Sequence, residues 1–504
     1  MQSGRDLLSA LYQRGVTIWT ENGQLRFQAP RGALAPEKIE ELHRLKAEIV
    51  TLLEQAQASI ESPIRPRADS DPVPLTGAQL ALWKYSGEQR LSDHYCVTSV
   101  RILGTLDISL LRSSTDAVVQ RHESLRTRIQ MHNGLPTQHV DRVPGWRFEE
   151  LDLSKQPAIT ADDEVKRLAQ ELVSETTDVS VGPMVKARLI RISKDEHVLI
   201  STFNHMISDG ISKHIVGRET WTLYRQAEQG LPPSLPQPPL QYPDYAVWQQ
   251  HTFDTYPATH RAYWKARLGN APSVHLPPDG HPADVKTPSA GILDFPFGKT
   301  LSNSLRGLAG RERSLLSLLV LAVYAAVMAR WCRQQDILIV FVSNGRYRRE
   351  LENMTGLLST YLYLRMEIRN NDTFLDLLKQ VSLEFYAAND HRDFDRMPSF
   401  IPNCKTELCF NWLPAYSEWW QMDQQCGPQG KVRLQPFQFV ARLTAKFIAY
   451  FSETNEGITF TVQYRRDSFS DLTMRRLGDD VRRFAEVVSQ RPLATLASIS
   501  GSGF

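Results

Sequence analysis

The stretch Asn204-His205-Met206-Ile207-Ser208-Asp209-Gly210 constrains the chain more than any other. It follows an apolar run, Val198 to Phe203, that reads as a buried strand, and it precedes a segment of helical character from Ile211 to about Ala227. A strand, a tight turn and a helix therefore meet here. A histidine at a strand end has a fixed backbone and can project its ring into a cleft. An aspartate four residues on, followed by glycine, predicts a turn that folds the carboxylate back. Such support suits a proton-handling imidazole. The bare pattern also arises by chance in a chain with 13 histidines, so a structural or surface histidine stands beside the catalytic reading, and only the neighbouring segments separate the two.

The 504 residues suffice for two or three domains with sizeable cores. A charged content of 23% and a net charge of +2 give no global basic excess of the kind that marks nucleic-acid binding. The five cysteines, Cys96, Cys332, Cys404, Cys409 and Cys426, are odd in number and lack metal-ligand spacing, which predicts a reduced, cytoplasmic setting and no metal site. The N-terminus lacks the features of a signal peptide. The apolar stretch from Leu315 to Met328 is too short to span a bilayer and predicts a buried helix. No P-loop, dinucleotide-type glycine pattern or G-x-S-x-G elbow is present.

Residues 1–55 read as a separate small module. Asp6 to Gln13 is a short helix stopped by Gly15; Val16 to Thr20 and Gln24 to Gln28 flank an Asn22-Gly23 turn and form a β-hairpin; and Pro36 to Gln55 carries Ile39, Leu42, Leu45, Ile49 and Leu52 as one helical stripe. A hairpin of two strands leans on its helices and leaves strand edges open. Beside Arg14, Arg26 and Arg31 such an edge can capture an extended acidic peptide; the plainer reading makes these arginines a solvated surface. Residues 56–74, with Pro63, Pro66, Pro72 and Pro74, read as a semi-extended linker on which the module swings.

A larger unit opens at Leu75. Leu75 to Trp83 starts a helix, a second helix runs from about Leu110 to Glu123 into Arg121-His122-Glu123-Ser124-Leu125-Arg126-Thr127, and Met184 to Leu189 alternates as a strand. Read bare, the Arg121–Arg126 cluster is a charged helix end and His122 a hydrogen-bonded structural histidine. Four stretches, Leu75 to Trp83, Arg121 to Thr127, Asn204 to Gly210 and Tyr242 to Trp248, fall in an order and spacing that resemble the condensation domains of nonribosomal peptide synthetases. Asn344-Gly345-Arg346 with Gly356, Leu364-Arg365, Phe410-Asn411 and Tyr464 to Asp467 fit the same pattern. The helix-hairpin-helix order of residues 1–55 resembles the TubC, or β-hairpin, docking domains of assembly-line synthases.

The resemblance implies an α+β protein: the docking module plus two lobes, 75–250 and 251–504, each built like chloramphenicol acetyltransferase and arranged as a V-shaped pseudo-dimer. The segment from Tyr416 to Pro436 corresponds by resemblance to the one that crosses between lobes. It implies an acyltransferase with no cofactor of its own, which takes a thioester from the phosphopantetheine arm of an upstream carrier protein that docks through its C-terminal tail. By the same resemblance His205 relays the acceptor's proton or hydrogen-bonds the intermediate, Asp209 pairs with Arg346 to order the turn, and Gly210 supplies a backbone N–H near the oxyanion. Arg121 and Arg126 belong to a supporting motif. Asn204 replaces the first of the family's two histidines, and Leu358-Ser359-Thr360-Tyr361 replaces its usual Phe-Val-Asn-Thr run, which points to an unusual substrate or acceptor. His205 disfavours heterocyclisation, and the intact Arg121–Arg126 motif disfavours epimerisation.

Three functions follow as expectations. The first is release of the acyl chain as an amide or ester onto a soluble amine or alcohol, similar to the free-standing enzymes of enacyloxin-type hybrid lines, by a docking module plus one condensation domain. The second is peptide-bond formation in an elongating synthetase. The third is an inactive recruitment scaffold, which an intact His205 disfavours.

Overall fold

The apolar periodicities resolve into four sheets in the computed structural model, which describes residues 7, 17–21, 24–28, 36–51, 63–68, 73–90, 95–143, 145–155, 158–255, 257–279, 290–392, 406–413, 431–437, 439, 443 and 445–500. The first sheet is the hairpin of β1 (Thr17–Glu21) and β2 (Gln24–Gln28), paired antiparallel with Trp19 opposite Arg26. Ile18 from the hairpin and Leu42 and Ile49 from the helical segment after Pro36 are buried. The helix expected over Asp6 to Gln13, apart from the buried Leu7, lies outside the described residues, as do Arg14 and Arg31.

Next come β3 (Val73–Pro74), β4 (Tyr95–Gly104), β5 (Thr127–His132), β6 (Leu135–Val140), β7 (Trp146–Asp152), β8 (Val185–Ser193) and β9 (Glu196–Asn204). The second half of the chain adds β10 (Ala290–Pro296), β11 (Asp336–Ser343), β12 (Thr360–Glu367), β13 (Cys409–Leu413), β14 (Val432–Pro436), β15 (Phe447–Thr454) and β16 (Gly457–Arg465). A five-stranded sheet has the order β14-β4-β9-β8-β7, a six-stranded sheet the order β10-β16-β15-β13-β11-β12, and β3-β6-β5 form a smaller third.

Side-chain alternation along β9 explains the first large layer. Val198 and Ile200 face the helix Ala158–Ser174 in one apolar cluster, while Leu199 joins Trp221 and Tyr224 of the helix Gly210–Glu228 in another. β14 completes this sheet: it pairs antiparallel with β4, and Val432 and Leu434 enter the cluster of Trp221 and Tyr224. Residues 432–436 thus cross to the first half's sheet, and residues 416–430 lie outside the described ones.

The second large layer is built around the helix Leu316–Trp331, which is apolar all round and buried from Leu318 to Ala329. Such a helix needs cover on every side. The six-stranded sheet and the helices Gly298–Arg311, Phe374–Asp390 and Asp471–Gln490 provide it. No single helix among the described residues is long and apolar enough to cross a membrane.

The two halves meet along the helix Tyr242–Thr255 and the loop after β11. Tyr242, Tyr245 and Trp248 pack with Leu351, Met354, Leu357 and Leu358, and Ile64 enters the same cluster. Arg67 adds ion pairs to Asp244 (3.0 Å) and Glu123 (2.9 Å). The expected freedom of the linker therefore stops before residues 63–68, which a buried side chain and two carboxylates fix to the larger body. Gly356, at φ +149°, lies so close to Tyr242 that a Cβ would sit 2.1 Å from its ring. Gly345, at φ +67°, would press a Cβ to 1.7 Å from the Leu358 carbonyl. Gly356→Ala is expected to cost at least about 1–3 kcal/mol through overpacking and an unfavourable φ, read as a lower urea midpoint at unchanged slope.

Candidate active site

Strand β9 ends at Asn204, whose side chain is wholly buried and accepts a hydrogen bond from the Met206 N–H at 2.9 Å. Its own carbonyl accepts from the Ser208 hydroxyl and the Ile207 N–H, both at 3.1 Å. The Asn204 amide thus helps to close the turn after the strand. Beyond the turn the helix starts with Asp209 as its N-cap, accepting from the Ser212 N–H at 2.8 Å.

Asp209 does more than cap. Its Oδ2 accepts from Arg346 Nη1 (2.8 Å) and from the backbone N–H groups of Leu358 (3.1 Å) and Ser359 (3.0 Å), and its Oδ1 accepts from Arg346 Nη2 (3.1 Å). The carboxylate is 1% exposed and the arginine side chain 4%. Burial pushes the Asp209 pKa up, but the Arg346 charge, its hydrogen bonds and Ser212 outweigh that and hold it below the ordinary range. The Ser212 hydroxyl has one hydrogen, with Asp209 Oδ1 at 2.7 Å and the Gly356 carbonyl at 2.8 Å as its acceptors, and it accepts the Gly356 N–H at 3.0 Å. The turn that carries His205 is therefore bolted to the loop of the second half.

The His205 ring is partly exposed. Its Nδ1 lies 2.7 Å from the Ser208 carbonyl, which can only accept, so Nδ1 carries a hydrogen and donates it. Among the described residues Nε2 has no hydrogen-bond partner, which leaves it available to a reacting group. Cys96 Sγ, on β4, lies 3.8 Å from Nδ1. Burial opposes charge on the ring, yet the Cys96 thiol, the Ser208 carbonyl and Asp209 together raise its pKa to about 9. Burial likewise opposes a Cys96 thiolate, and His205 and Lys213 overcome it to bring that thiol below its ordinary range.

Gly210 is exposed, and among the described residues no atom beyond its chain neighbours and its own helix's backbone lies within 4 Å of where its Cβ would sit. As the first helical residue it has an N–H without an intrahelical acceptor. That N–H and the open space beside it suit a developing oxyanion.

The remaining motif residues brace the site without entering it. Arg121 Nε and His122 Nε2 reach Glu219 Oε2 on the helix Gly210–Glu228 at 3.1 and 2.7 Å, and His122 is the hydrogen-bonded structural histidine that the bare sequence suggested. Arg126 reaches the carbonyls of Gln120 and Asp141. Arg465 pairs with Asp467, and Tyr464 and Arg466 meet Asp471, which ties β16 to the final long helix. Arg26 sits in β2. Sequence reasoning missed Cys96 and Lys213. Cys96 reaches the site through the register that sets it opposite Phe203. Lys213 carried a legible signal: a cation at a helix start opposes the macrodipole, and the first turn holds no acid.

The condensation-domain family profile matches residues 69–501, and the TubC N-terminal docking domain profile matches residues 5–55. The chain belongs to the condensation-domain family, a class of acyltransferases that form amide bonds, and carries a TubC-type docking domain. It is 27% identical over 465 residues to a linear gramicidin synthase of Brevibacillus parabrevis, covering 89% of this chain and 9% of that protein. It is 30% identical over 461 residues to phosphinothricin tripeptide synthetase PhsC of Streptomyces viridochromogenes, covering 89% of this chain and 42% of that protein. The chain thus spans less than half the length of these relatives. In fold it matches the X-domain from teicoplanin biosynthesis, with a TM-score of 0.73 at 20% identity over 86% of this chain and 99% of that one. It also matches the condensation domain that mediates chain release from the enacyloxin polyketide synthase, with a TM-score of 0.65 at 20% identity over 98% and 97%.

Removing one partner of the Asp209–Arg346 pair leaves a buried charge uncompensated. Arg346→Ala is expected to destabilise the protein by about 3–5 kcal/mol in urea unfolding. The double variant Asp209→Asn/Arg346→Ala is expected to recover part of that loss.

Proposed function

We propose that this chain transfers an acyl group from a carrier protein's phosphopantetheine thioester to a soluble amine or hydroxyl acceptor, releasing the chain as an amide or ester. The observation that carries the chemistry is the His205 ring, locked by its Nδ1–H to Ser208 with Nε2 left open. As the acceptor's nitrogen or oxygen attacks the thioester carbonyl, neutral His205 takes its proton at Nε2. The tetrahedral oxyanion is stabilised by the Gly210 N–H. Collapse breaks the C–S bond, and the departing thiolate recovers the proton from His205 as the pantetheine thiol. Asp209 and Arg346 hold the turn in place and take no part in proton transfer. The activated thioester supplies the driving force, so positioning and proton transfer are what the protein adds.

Release onto a soluble acceptor is suggested by one fold match, to the enacyloxin release domain, over 98% of this chain and 97% of that one. The peptide synthetases among the curated relatives favour the second reading, amide formation onto a carrier-bound amino acid. In both, residues 1–55 recruit the donor carrier, residues 56–74 tether that module, and 75–250 and 251–504 are the two lobes. The proposed seat of the carrier's acidic C-terminal tail is an edge of the β1–β2 hairpin, whose second strand carries Arg26; Arg14 and Arg31 lie outside the described residues.

An acylated carrier with its tail retained, mixed with amine, alcohol and aminoacyl-carrier acceptors, separates the readings by product mass. His205→Ala is expected to lower kcat by about 10²- to 10⁴-fold. Turnover undiminished in that variant would remove His205 from the mechanism. Deleting the carrier's tail is expected to raise KM for the carrier roughly tenfold with kcat unchanged. With a hydroxyl acceptor, which does not titrate in this range, kcat/KM is expected to rise with pH through about 9 as His205 loses its proton. Because Cys96 holds that proton on, Cys96→Ala is expected to move the limb down towards the ordinary imidazole value of 6.5.

A further inference from the structure

The active-site turn is held from a second side, by the stretch Leu75 to Trp83. Gln79, in the first turn of the helix Gly77–Arg90, has no exposed surface, and its Nε2 donates to the Met206 carbonyl at 2.8 Å. Met206 follows His205 directly and is itself buried. Among the described residues no backbone N–H reaches its carbonyl, so the Gln79 amide satisfies an acceptor that the turn leaves open. A buried carbonyl deprived of its donor bears its full desolvation cost and turns towards another.

The amide is fixed in its own right. Its Oε1 accepts the Thr76 N–H at 3.0 Å, which settles which end of the group is nitrogen, and Nε2 also reaches Gln138 Oε1 on β6 at 3.3 Å. Gln138 Nε2 donates in turn to the Pro74 carbonyl at 2.8 Å. Thr76 extends the network to the second half. The Leu357 carbonyl can only accept, so the Tyr242 hydroxyl donates to it at 2.7 Å and accepts from Thr76 Oγ1 at 2.8 Å. The next residue, Leu358, gives its N–H to Asp209. A buried circuit therefore runs from Met206 through Gln79, Thr76, Tyr242 and the loop at Leu357 and Leu358 back to Asp209. The bonds that Asn204 makes to Met206, Ile207 and Ser208 keep the turn's shape from within. Gln79 and Arg346 tie that shape to other segments, before and after Ser208, whose carbonyl takes the Nδ1–H of His205.

We infer that Gln79 is a positioning residue of the acyl transfer, holding His205 through the Met206 carbonyl as Arg346 holds it through Asp209. This rests on the proposed role of His205 as proton acceptor and adds a residue to it. Without Gln79 the peptide after Met206 turns to find another donor, and the Ser208 carbonyl moves with it. His205 then loses its fixed Nδ1–H contact, and Nε2 loses its fixed direction.

The test follows the His205 ring by NMR in the full chain with isotope-labelled histidine, its signal assigned by its absence from His205→Ala. Burial opposes charge on this ring, while Cys96, the Ser208 carbonyl and Asp209 raise its pKa to about 9. Loosening the Ser208 contact removes one of these supports, so Gln79→Met is expected to move the titration down towards the ordinary 6.5. Gln138→Met removes a neighbouring buried amide but leaves the Met206 contact, and is expected to titrate like wild type. Neither change alters the titratable groups around the ring: Cys96, with Lys213 and Tyr450 near it, and Asp209 paired with Arg346. A titration midpoint does not depend on the fraction that folds. With acyl carrier protein as donor and amine, alcohol and aminoacyl-carrier acceptors, Gln79→Met is expected to lower kcat by about 10- to 100-fold, the effect of a displacement of about an ångström, with KM for the carrier unchanged. An unmoved titration in Gln79→Met, or an equal shift in Gln138→Met, overturns the inference and leaves the role of His205 standing. A shifted titration with kcat undiminished overturns it too, because the turn has then moved without consequence for transfer. Undiminished turnover in His205→Ala overturns the proton-acceptor role and this inference together.

Discussion

The buried pair of Asp209 and Arg346 is the contact that holds the active-site turn in place. It is not a simple salt bridge, because every acceptor position of the carboxylate is used: the arginine fork, the cap of the following helix and two N–H groups of the opposing loop. A buried ion pair repays its desolvation only when hydrogen bonds satisfy the remaining lone pairs, and here they do. The result is positional. The same oxygens that start the helix after His205 also grip the loop from Arg346 to Ser359, so the two halves cannot separate at this point without exposing a charge.

Around that fixed turn the chemistry is set by what is left unpaired. His205 spends Nδ1 on Ser208 and keeps Nε2, and Gly210 keeps its N–H. Arg121, His122, Glu219 and Arg126, which look more reactive on paper, are saturated by one another and by backbone carbonyls. The contrast separates groups that hold the protein together from groups available to a substrate. The Cys96 thiol belongs to neither set: it lies 3.8 Å from His205 Nδ1 and raises that ring's pKa.

Residues 63–68 of the proline-rich stretch are fixed to the larger body. Ile64 lies in the cluster of Tyr242, Tyr245 and Trp248, and Arg67 is held by Asp244 and Glu123, the latter within the Arg121–Thr127 stretch itself. The chain that leads in from the docking module is thus packed against the same elements that brace the active-site turn. Residues 432–436 act similarly from the other direction, donating a strand of the second half's chain to the first half's sheet.

Local order was legible in the sequence wherever the forces are local. The apolar run of β9, the turn residues of 204–210 and the amphipathic start of the next helix lie side by side in the chain, so strand, turn and helix could be read directly, as could the buried helix Leu316–Trp331 from its unbroken apolar composition. The order of the motifs identified the family and, with it, Arg346 as the partner of Asp209. What composition and periodicity could not reach were facts of register and approach. The backbone N–H groups of Leu358 and Ser359 carry no residue-type signal, Cys96 meets His205 only because β4 pairs with β9 in one register, and the crossing of β14 depends on a sheet edge built from residues far earlier in the chain. Residue order was enough to set the elements and the histidine at their junction. Which groups stay unpaired around that histidine was a matter for the folded chain, because pairing is settled by contacts between distant segments and not by the neighbours of any one residue.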